Sequence, residues 1–590
     1  MSVRFYSFGP YQVDTEEQLL LCEGHPQSLK PKLFELLVVF VANSGRVLSK
    51  DELMRRVWAD SFVEESNLAV SVHEIRKALG GLNGQSYIET IPRRGYRFVA
   101  SVTAITEDRD IYNAMGPKLG GPTFTASSGP LRTKSGTIAV LPFKSIGSST
   151  DAYLGLGISD ALITRLSNLR KVTVRPTTSV RKYDGTHDPI VAGKELSVEW
   201  VLDGSIQKSG KRIRLTVQLV HVGDGVVRWA EKFDEKFTNI FAVEDSISEQ
   251  VAKALEPRLT GEDRRLLTKR YTENFQAYEA YLRGRYFLEK RSADDCKRAI
   301  EYFELATKID PSYALAYTEL AACYIVMAST SALSTADSYL KAEHAILIAL
   351  GLDEQLAEAH ASMGQLKTRK WEWQAAENEL KRALELNPNY AMGHTWYALY
   401  LSVIGRFGEA FLEIREAKSL DPLSAIIKST EGSIFYLSRR YDEGIEQFRK
   451  TLEVDKDFAP AQSVLGVTYE AKGEYKEALK QYKQSMNVQG ELPELVAFIA
   501  RLDALDGRVN ESLRAIERLK SWPVDRMVHP YSIALIYAAL GDSEETFKWL
   551  EEAVKTRDED LIILKVDPRL DSIREDPRFS SLLRKVGFST

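Results

Sequence analysis

Three regimes of hydrophobic and polar patterning divide this chain. Up to residue 104, short alternating runs mix with helical ones. "VRFYSFGPYQVD" and "QLLLCEG" predict strands. "KPKLFELLVVFVANSG" places apolar residues at helical spacing and predicts a helix closed by Gly45. "SKDELMRRVWAD" opens with Ser49 and has Glu52 three residues on, the pattern of a capping box. "ESNLAVSVHEIRKALGG" predicts a third helix stopped at Gly80-Gly81. On its wheel Leu68, Val72, Ile75 and Leu79 form one stripe, and Val70, His73, Glu74 and Lys77 form a continuous strip on the opposite face. "SYIETIPRRGYRFVA" then alternates on either side of Pro92-Arg93-Arg94-Gly95 and predicts a hairpin tipped with arginine, with Arg97 on the returning strand.

Residues 105–136 lose all periodicity and are rich in Gly, Pro, Ser and Thr, which predicts a linker. From 137 to 260 strands and helices alternate. "TIAVLPF" predicts a buried strand, "ISDALITRLSNL" an amphipathic helix, "VTVRP" a short strand and "VAGKELSVEW" a helix. Three further strands follow, turning at Ser209-Gly210 and Gly223-Asp224-Gly225, and "FAVEDSISEQVAKALEPRL" leads out as a helix. A small α/β domain is the expectation. "GLGISD" reads as a loop before a helix rather than a phosphate cradle, and Asp151, Asp160 and Asp203 are carboxylates with no evident partners.

From 274 to 560 the pattern is helical and repeats. Asn387, Asp421 and Asp455 stand 34 residues apart, as do Gly364, Ala398, Gly432 and Gly466, and Ala376, Ala410, Gly444 and Ala478. Small residues at fixed phase let paired helices approach closely, and the prolines after Asn387 and Asp421 stop the second helix of a pair. One repeat is stretched around "MASTSALST". About eight repeats fit, and residues 561–590 read as a capping segment. Trp371, Trp373, His394 and Trp396 fall at positions where repeat packing accounts for them.

Composition changes this picture little. A chain of 590 residues with a net charge of -5 is too long for one core and is not a nucleic-acid-coating polycation. Basic chemistry is therefore local: residues 1–104 carry twelve Lys/Arg against twelve Asp/Glu, so the hairpin tip is a point of charge on a neutral domain. The three cysteines, Cys22, Cys296 and Cys323, have no metal-ligand spacing and read as free thiols of a reducing cytoplasm. No secretory signal and no apolar run of membrane length is present, since spanning takes about 20 residues. There is no Walker motif, nucleophile elbow or His/Cys ligand pair. Catalytic residues, cofactor and metal are all expected to be none.

Residue by residue, "VLSKDELMRRVW", "VEESNLAVSVHEIRKALG" and "YIETIPRRGYRF" resemble the winged-helix DNA-binding domain of OmpR/PhoB-type transcriptional regulators. The domain order resembles the CadC/ToxR group, without the membrane span of that group. The resemblance implies a recognition helix from Asn67 to Leu79 that presents Asn67, Val70, Ser71, His73, Glu74 and Lys77 to double-stranded promoter DNA. It also implies that Arg93 and Arg94, with Arg97 on the returning strand, form the wing and probe phosphates or the minor groove, and "ADSFVEES" resembles the segment that can touch RNA polymerase in that family. In this chain Val70, His73 and Glu74 stand where many relatives are basic. Val70 suits a thymine methyl, Glu74 either accepts from cytosine N4 or repels non-specific DNA, and Lys77 suits a phosphate. "IAVLPF" and "VLDGSIQKSGKRIRLTVQLV" resemble the TolB N-terminal-like α/β domain. "LGVTYEAKGEYKEALKQYKQSM" resembles the tetratricopeptide repeat, which implies a superhelix whose concave face binds a protein or peptide.

The expected fold is multidomain: an α+β winged helix over 1–104, a linker over 105–136, a small α/β domain over 137–260, then an all-α tetratricopeptide-repeat superhelix. The expected function is a one-component, cytoplasmic, sequence-specific transcription regulator. A neutral winged helix binds modestly as a monomer, so a homodimer on paired half-sites is expected. The alternative is an interaction scaffold that uses the winged helix as a docking module.

Overall fold

The alternating runs at the N-terminus form an antiparallel sheet of β1 (Phe5–Phe8), β2 (Tyr11–Asp14), β3 (Leu19–Cys22) and β4 (His25–Gln27). The computed structural model describes residues 5–8, 11–14, 19–22, 25–27, 29–57, 65–79, 87–91, 94–100, 102–105, 136–146, 152–169, 171–183, 187–256, 259–288, 293–329, 335–522 and 528–588. It divides into two units, Met1–Gly129 and Pro130–Thr590.

In the first unit α1 (Pro31–Ala42), β5 (Val47–Leu48), α2 (Lys50–Val57) and α3 (Glu65–Ala78) follow the first sheet. Then come β6 (Ile88–Ile91), β7 (Gly95–Phe98) and β8 (Thr103–Ile105). β8 pairs antiparallel with β1 and carries the folded domain to Ile105, one residue past the expected boundary. A second sheet has the order β5-β7-β6. Phe8, Leu36, Leu37, Phe40, Val72, Ile75 and Phe98 are sealed between the layers. Each such side chain contributes roughly 1.5–3 kcal/mol by leaving water. The Ser49 hydroxyl accepts from the Glu52 amide at 3.2 Å as the capping pattern predicts, while the Glu52 carboxylate turns to Arg46 and Arg56. Gly80-Gly81, most of "ADSFVEES" and nearly all of the expected linker lie outside the described residues.

The second unit begins with a sheet of order β11-β9-β12-β13-β14, with β10 (Lys144–Ser145) beside β12. β9 (Thr137–Val140) lies parallel to β11 (Thr173–Val174) and β12 (Trp200–Ser209). β13 (Arg212–His221) and β14 (Val227–Lys236) complete an antiparallel meander. Packed with this sheet are α4 (Ala152–Ser167), the short α5 (Thr177–Val180), α6 (Pro189–Glu195) and α7 (Ile240–Leu255); α8 (Gly261–Leu267) leads into the repeats.

Three expectations are corrected here. "GLGISD" is not a loop but lies inside α4, because Gly155 and Gly157 let the helix press on the Phe143 carbonyl and on Leu282. The helix expected over "VAGKELSVEW" ends at Glu195, and Ser197 takes φ +52° to turn the chain into β12. Asp160 and Asp203 do have partners: Asp160 accepts from Arg285 at 2.7 and 2.9 Å, and Asp203 from Gln218 at 3.2 Å. Asp151 lies outside the described residues.

The described repeats form eight antiparallel helix pairs, from Phe275–Leu288 with Ala293–Ile309 to Pro530–Leu540 with Ser543–Lys555. First helices start at Ala357, Ala391, Ala425 and Ala459, 34 residues apart. Leu380, Ile414, Phe448, Tyr482, Ile516 and Leu550 hold the same phase on the second helices, all at 0–1% exposure. The repeats that look degenerate in sequence therefore keep the register.

Two contacts tie this unit together. The first runs along the turns between repeats. Asp310 accepts from the Thr272 hydroxyl, Lys269 reaches Asp353 at 2.5 Å, and the Asn389 amide donates to the Leu169 and Val172 carbonyls at 3.2 and 3.1 Å. Asp421 accepts from Thr178 at 2.8 Å and from Ser179, while Arg175 donates to the Ser419 and Leu420 carbonyls at 2.7 Å each. The second contact is the C-terminal segment, with 3-10 turns Glu559–Ile563 and Pro568–Ile573 and the helix Pro577–Lys585. It runs back across the repeats. Tyr531 donates to Asp567 at 2.7 Å, Arg439 pairs with Asp571 at 2.8 Å, and Arg369 pairs with Glu559 at 2.6 Å. Phe588 stacks on Trp373 at 4.5 Å, and the Trp373 indole donates to the Val586 carbonyl at 2.9 Å. His394 is held by Glu413 at 2.6 Å, and Trp396 packs edge-on to Tyr390. The tryptophans and His394 are thus packing residues, as their repeat positions imply.

Candidate nucleic-acid interface

Helix α3 is fixed by its apolar stripe. Leu68, Val72, Ile75 and Leu79 are 0–1% exposed against α1 and α2. That rotation turns the opposite strip outward: Val70 is 58% exposed, His73 and Lys77 are exposed, and Ser71 and Glu74 are half-buried. An exposed valine on an otherwise polar helix face has no role in the domain's own core. The backbone of Asn67 lies in the first turn of α3; its side chain is outside the described residues.

The hairpin is built as predicted. β6 and β7 are antiparallel with Glu89 opposite Arg97 and Ile91 opposite Gly95. Arg94 sits in the turn, exposed, its amide donating to the Ile91 carbonyl at 3.0 Å. Gly95 takes φ +131°, and a Cβ there would lie 1.9 Å from the Leu48 carbonyl oxygen, so only glycine lets β7 pass this close to β5. Arg93 lies outside the described residues.

Charge on this face is divided between committed and free groups. Arg97 binds Glu89 across the strand pair at 2.6 Å, and Glu74 pairs with Lys30 at 3.6 Å. Both are surface pairs, each contributing about 0–1 kcal/mol and broken cheaply. Among the described residues, Lys77 and Arg94 have no carboxylate partner. Two residues that the sequence reading passed over matter here. Lys30 is one, as the counter-charge of Glu74. Arg76 is the other: its guanidinium donates to the Ile88 carbonyl at 3.0 and 2.8 Å and to the Thr90 hydroxyl at 2.8 Å, tying α3 to the hairpin. On the helical wheel Arg76 falls between core and solvent faces, so only the fold reveals its target.

A helix about 12 Å across seats in a major groove, with a hairpin beside it reaching the flanking backbone or minor groove. The described surface offers one apolar contact in Val70, hydrogen-bonding groups in Ser71 and His73, and cations at both ends.

Comparison with known proteins agrees with this geometry. Residues 24–98 match the family described as "Transcriptional regulatory protein, C terminal". Residues 133–250 match "HilA/YgeH-like transcriptional regulator, second domain", and residues 430–485 match "Tetratricopeptide repeat". The transcriptional regulator HilA of Salmonella typhi is 23% identical over 446 residues, 74% of each chain. The transcriptional activator CadC of Escherichia coli is 40% identical over 87 residues, 14% of this chain and 17% of its own. A Rhizobium meliloti protein provisionally named adenylate cyclase 3 is 30% identical over 201 residues, 34% of each chain. The N-terminal domain is an OmpR/PhoB-type winged helix, and the second domain is of the kind found in HilA-like regulators. No helix among the described residues is long and apolar enough to cross a membrane.

Proposed function

We propose that this chain, with an OmpR/PhoB-type winged helix ahead of a HilA-like second domain and tetratricopeptide repeats, is a one-component transcription regulator of the cytoplasm. Its winged helix binds promoter DNA sequence-specifically. The observation that carries this reading is the exposed strip of α3, with Val70 at its centre, held by Arg76 against a hairpin whose turn carries Arg94, a cation with no carboxylate partner among the described residues. The roles follow from position. Val70, Ser71, His73 and Glu74 face base edges, Lys77 meets a phosphate, and Arg94 meets phosphates or the minor groove; Asn67 and Arg93, whose side chains lie outside the described residues, are given to the recognition helix and the wing by the sequence resemblance alone. Arg97 joins the wing once released from Glu89. Glu74 leaves Lys30 to accept from a base or, staying paired, sets a limit on non-specific affinity.

With the winged helix neutral overall, affinity comes from two copies on paired half-sites. The repeats sense a protein or peptide partner, RNA polymerase is a further contact, and the chain is not an enzyme. In the second domain the candidate carboxylate Asp160 is held in a pair with Arg285.

Selection of the full chain against random-sequence DNA at two salt concentrations tests this. The expected result is an enriched, repeated half-site whose binding weakens steeply with salt. Arg94→Ala should weaken binding to all sequences alike and lower the salt slope by about 1. No enrichment at either salt would leave the scaffold reading.

A further inference from the structure

The sheet of the second domain has two unequal edges. At one end stands β11, two residues long and buried. At the other stands β14, ten residues long and free of proline, with β13 as its sole strand neighbour among the described residues. All of β14 is exposed except Trp229 and Phe233, which are half-buried. Folds normally guard such an edge by brevity, proline or a bulge, because its free amides and carbonyls template another strand. Here the register shift lies at Leu219/Val220, near the hairpin turn, and pairing from Trp229 to Lys236 is regular.

Parity decides which backbone groups are free. The Phe237 amide donates to the Lys211 carbonyl at 2.8 Å, and Lys236 stands opposite Arg212. Bonded pairs alternate along an antiparallel ladder. The bonds to β13 therefore fall on Glu235, Phe233, Glu231 and Trp229. The amides and carbonyls of Ala230, Lys232, Asp234 and Lys236 point away from β13, in an unbroken row.

A second copy of the same strand fits this row. Directly opposed residues must both offer outward groups, so even-numbered residues of one copy meet even-numbered residues of the other. A two-fold axis at Phe233 uses the whole regular stretch. Ala230 then meets Lys236 of the second copy, and Lys232 meets Asp234. Arg212 and Arg214 hold that Asp234 in place at 2.8 and 2.6 Å. On the opposite face Phe233 meets Phe233 in a non-bonded pair, where side chains lie closest. An axis at Lys232 would set Lys232 against itself, and an axis at Asp234 would set Asp234 against itself. An axis at Glu231 would run the pairing into the register shift. The unfavourable contact in the Phe233 register is Glu231 with Glu235, both exposed. Along this edge Arg212, Arg214, Lys232 and Lys236 stand against Glu231, Asp234 and Glu235. Two like edges thus meet without a strong field of one sign between them.

We infer that β14 is a self-association surface: two copies of this chain join edge to edge, antiparallel about Phe233, into one continuous sheet. The surface lies wholly in the second domain, so the dimer forms without DNA. It goes beyond the regulator reading, since it supplies the two copies that paired half-sites call for while its failure would leave DNA binding by the winged helix untouched.

Sedimentation equilibrium of the full chain without DNA, over a range of concentrations, tests it. The parent is expected to pass from one to two chains per particle as concentration rises. Ala230→Pro deletes an outward amide and spares the β13 ladder, so the dissociation constant should rise at least about tenfold. Lys232→Asp turns both Lys232–Asp234 contacts repulsive and alters no backbone group, and should raise it about fivefold. Gln207→Asp, on the same face of β12 and two strands inward, should leave it unchanged. Melting curves check that Ala230→Pro is folded; if it is not, Lys232→Asp decides alone. A parent that stays a single chain throughout, an unchanged dissociation constant for Lys232→Asp, or equal weakening by Gln207→Asp would overturn the assignment.

Discussion

At the scale of single residues, the recognition surface depends on side chains that touch no DNA. Arg76 links α3 to β6 through three hydrogen bonds, two of them to one carbonyl. Arg76→Ala should cost about 1–3 kcal/mol, because the Ile88 carbonyl and the Thr90 hydroxyl lose a charged donor. DNA affinity should fall with it while sequence preference stays unchanged. Urea unfolding and a binding-site selection on the variant read the two effects separately. A second residue-scale consequence concerns His529. Burial opposes its charge, but the hydrogen bond to Asp558 at 2.8 Å and the fields of Asp560 and Glu559 hold its pKa up, at about 10. Glu494 faces it from the neighbouring repeat. A histidine raised in the folded state stabilises fully below its unfolded value, about 6.5, and that stability drains away as pH rises through the folded value. The chain should thus lose about 1.4 kcal/mol per pH unit from this group between pH 6.5 and 10. Replacing His529→Gln together with Asp560→Asn removes this titration and one of the charges that sustain it, so unfolding free energies measured from pH 7 to 10 should become flatter.

At the scale of elements, the repeat pairs are set by one small residue facing one large one. A Cβ on Gly466 would stand 2.4 Å from the Tyr482 ring, and one on Gly432 would stand 2.7 Å from Phe448. Both rings are fully buried, so neither can swing away. Gly466→Ala should destabilise the repeats by about 1–3 kcal/mol through overpacking. Gly351→Ala is the control: it is helical with no atom within 4 Å of the added methyl, and should stabilise by about 0.5–1 kcal/mol. Thermal unfolding of the two variants should move in opposite directions. The phase of these positions was legible in sequence through the glycines. The large partners were less so, since Leu, Ile, Phe and Tyr alternate in one structural role.

At the scale of the whole second unit, the turns between repeats do more than end helices. Asp421 is 3% exposed and holds Thr178 and Ser179 of α5, and its charge faces Arg175. Asp421→Ala should cost about 2 kcal/mol by stranding these donors. Backbone amides of residues 171–183 should then exchange faster than those of the repeat helices, as read by hydrogen exchange. The same residue in a free-standing repeat would be an ordinary turn aspartate, so its second duty follows only from what is packed on it.

The sequence by itself determined each domain's local architecture. Period-two and period-3.6 patterns, caps, turn glycines and the 34-residue phase are short-range signals, and they placed α3, the hairpin and the repeat pairs where the fold has them. It also determined which face of α3 is outward, because four apolar residues admit one rotation. Tertiary structure alone decided the partners of charged and polar groups. Arg97 with Glu89, Glu74 with Lys30, and Asp160 with Arg285 depend on distances between segments apart in the chain. The burial of "GLGISD" inside α4 was decided the same way, by the close approach of Phe143 and Leu282. Local pattern fixes backbone periodicity because its interactions reach only a few residues. Electrostatic pairing is fixed by proximity in space, which no local pattern encodes.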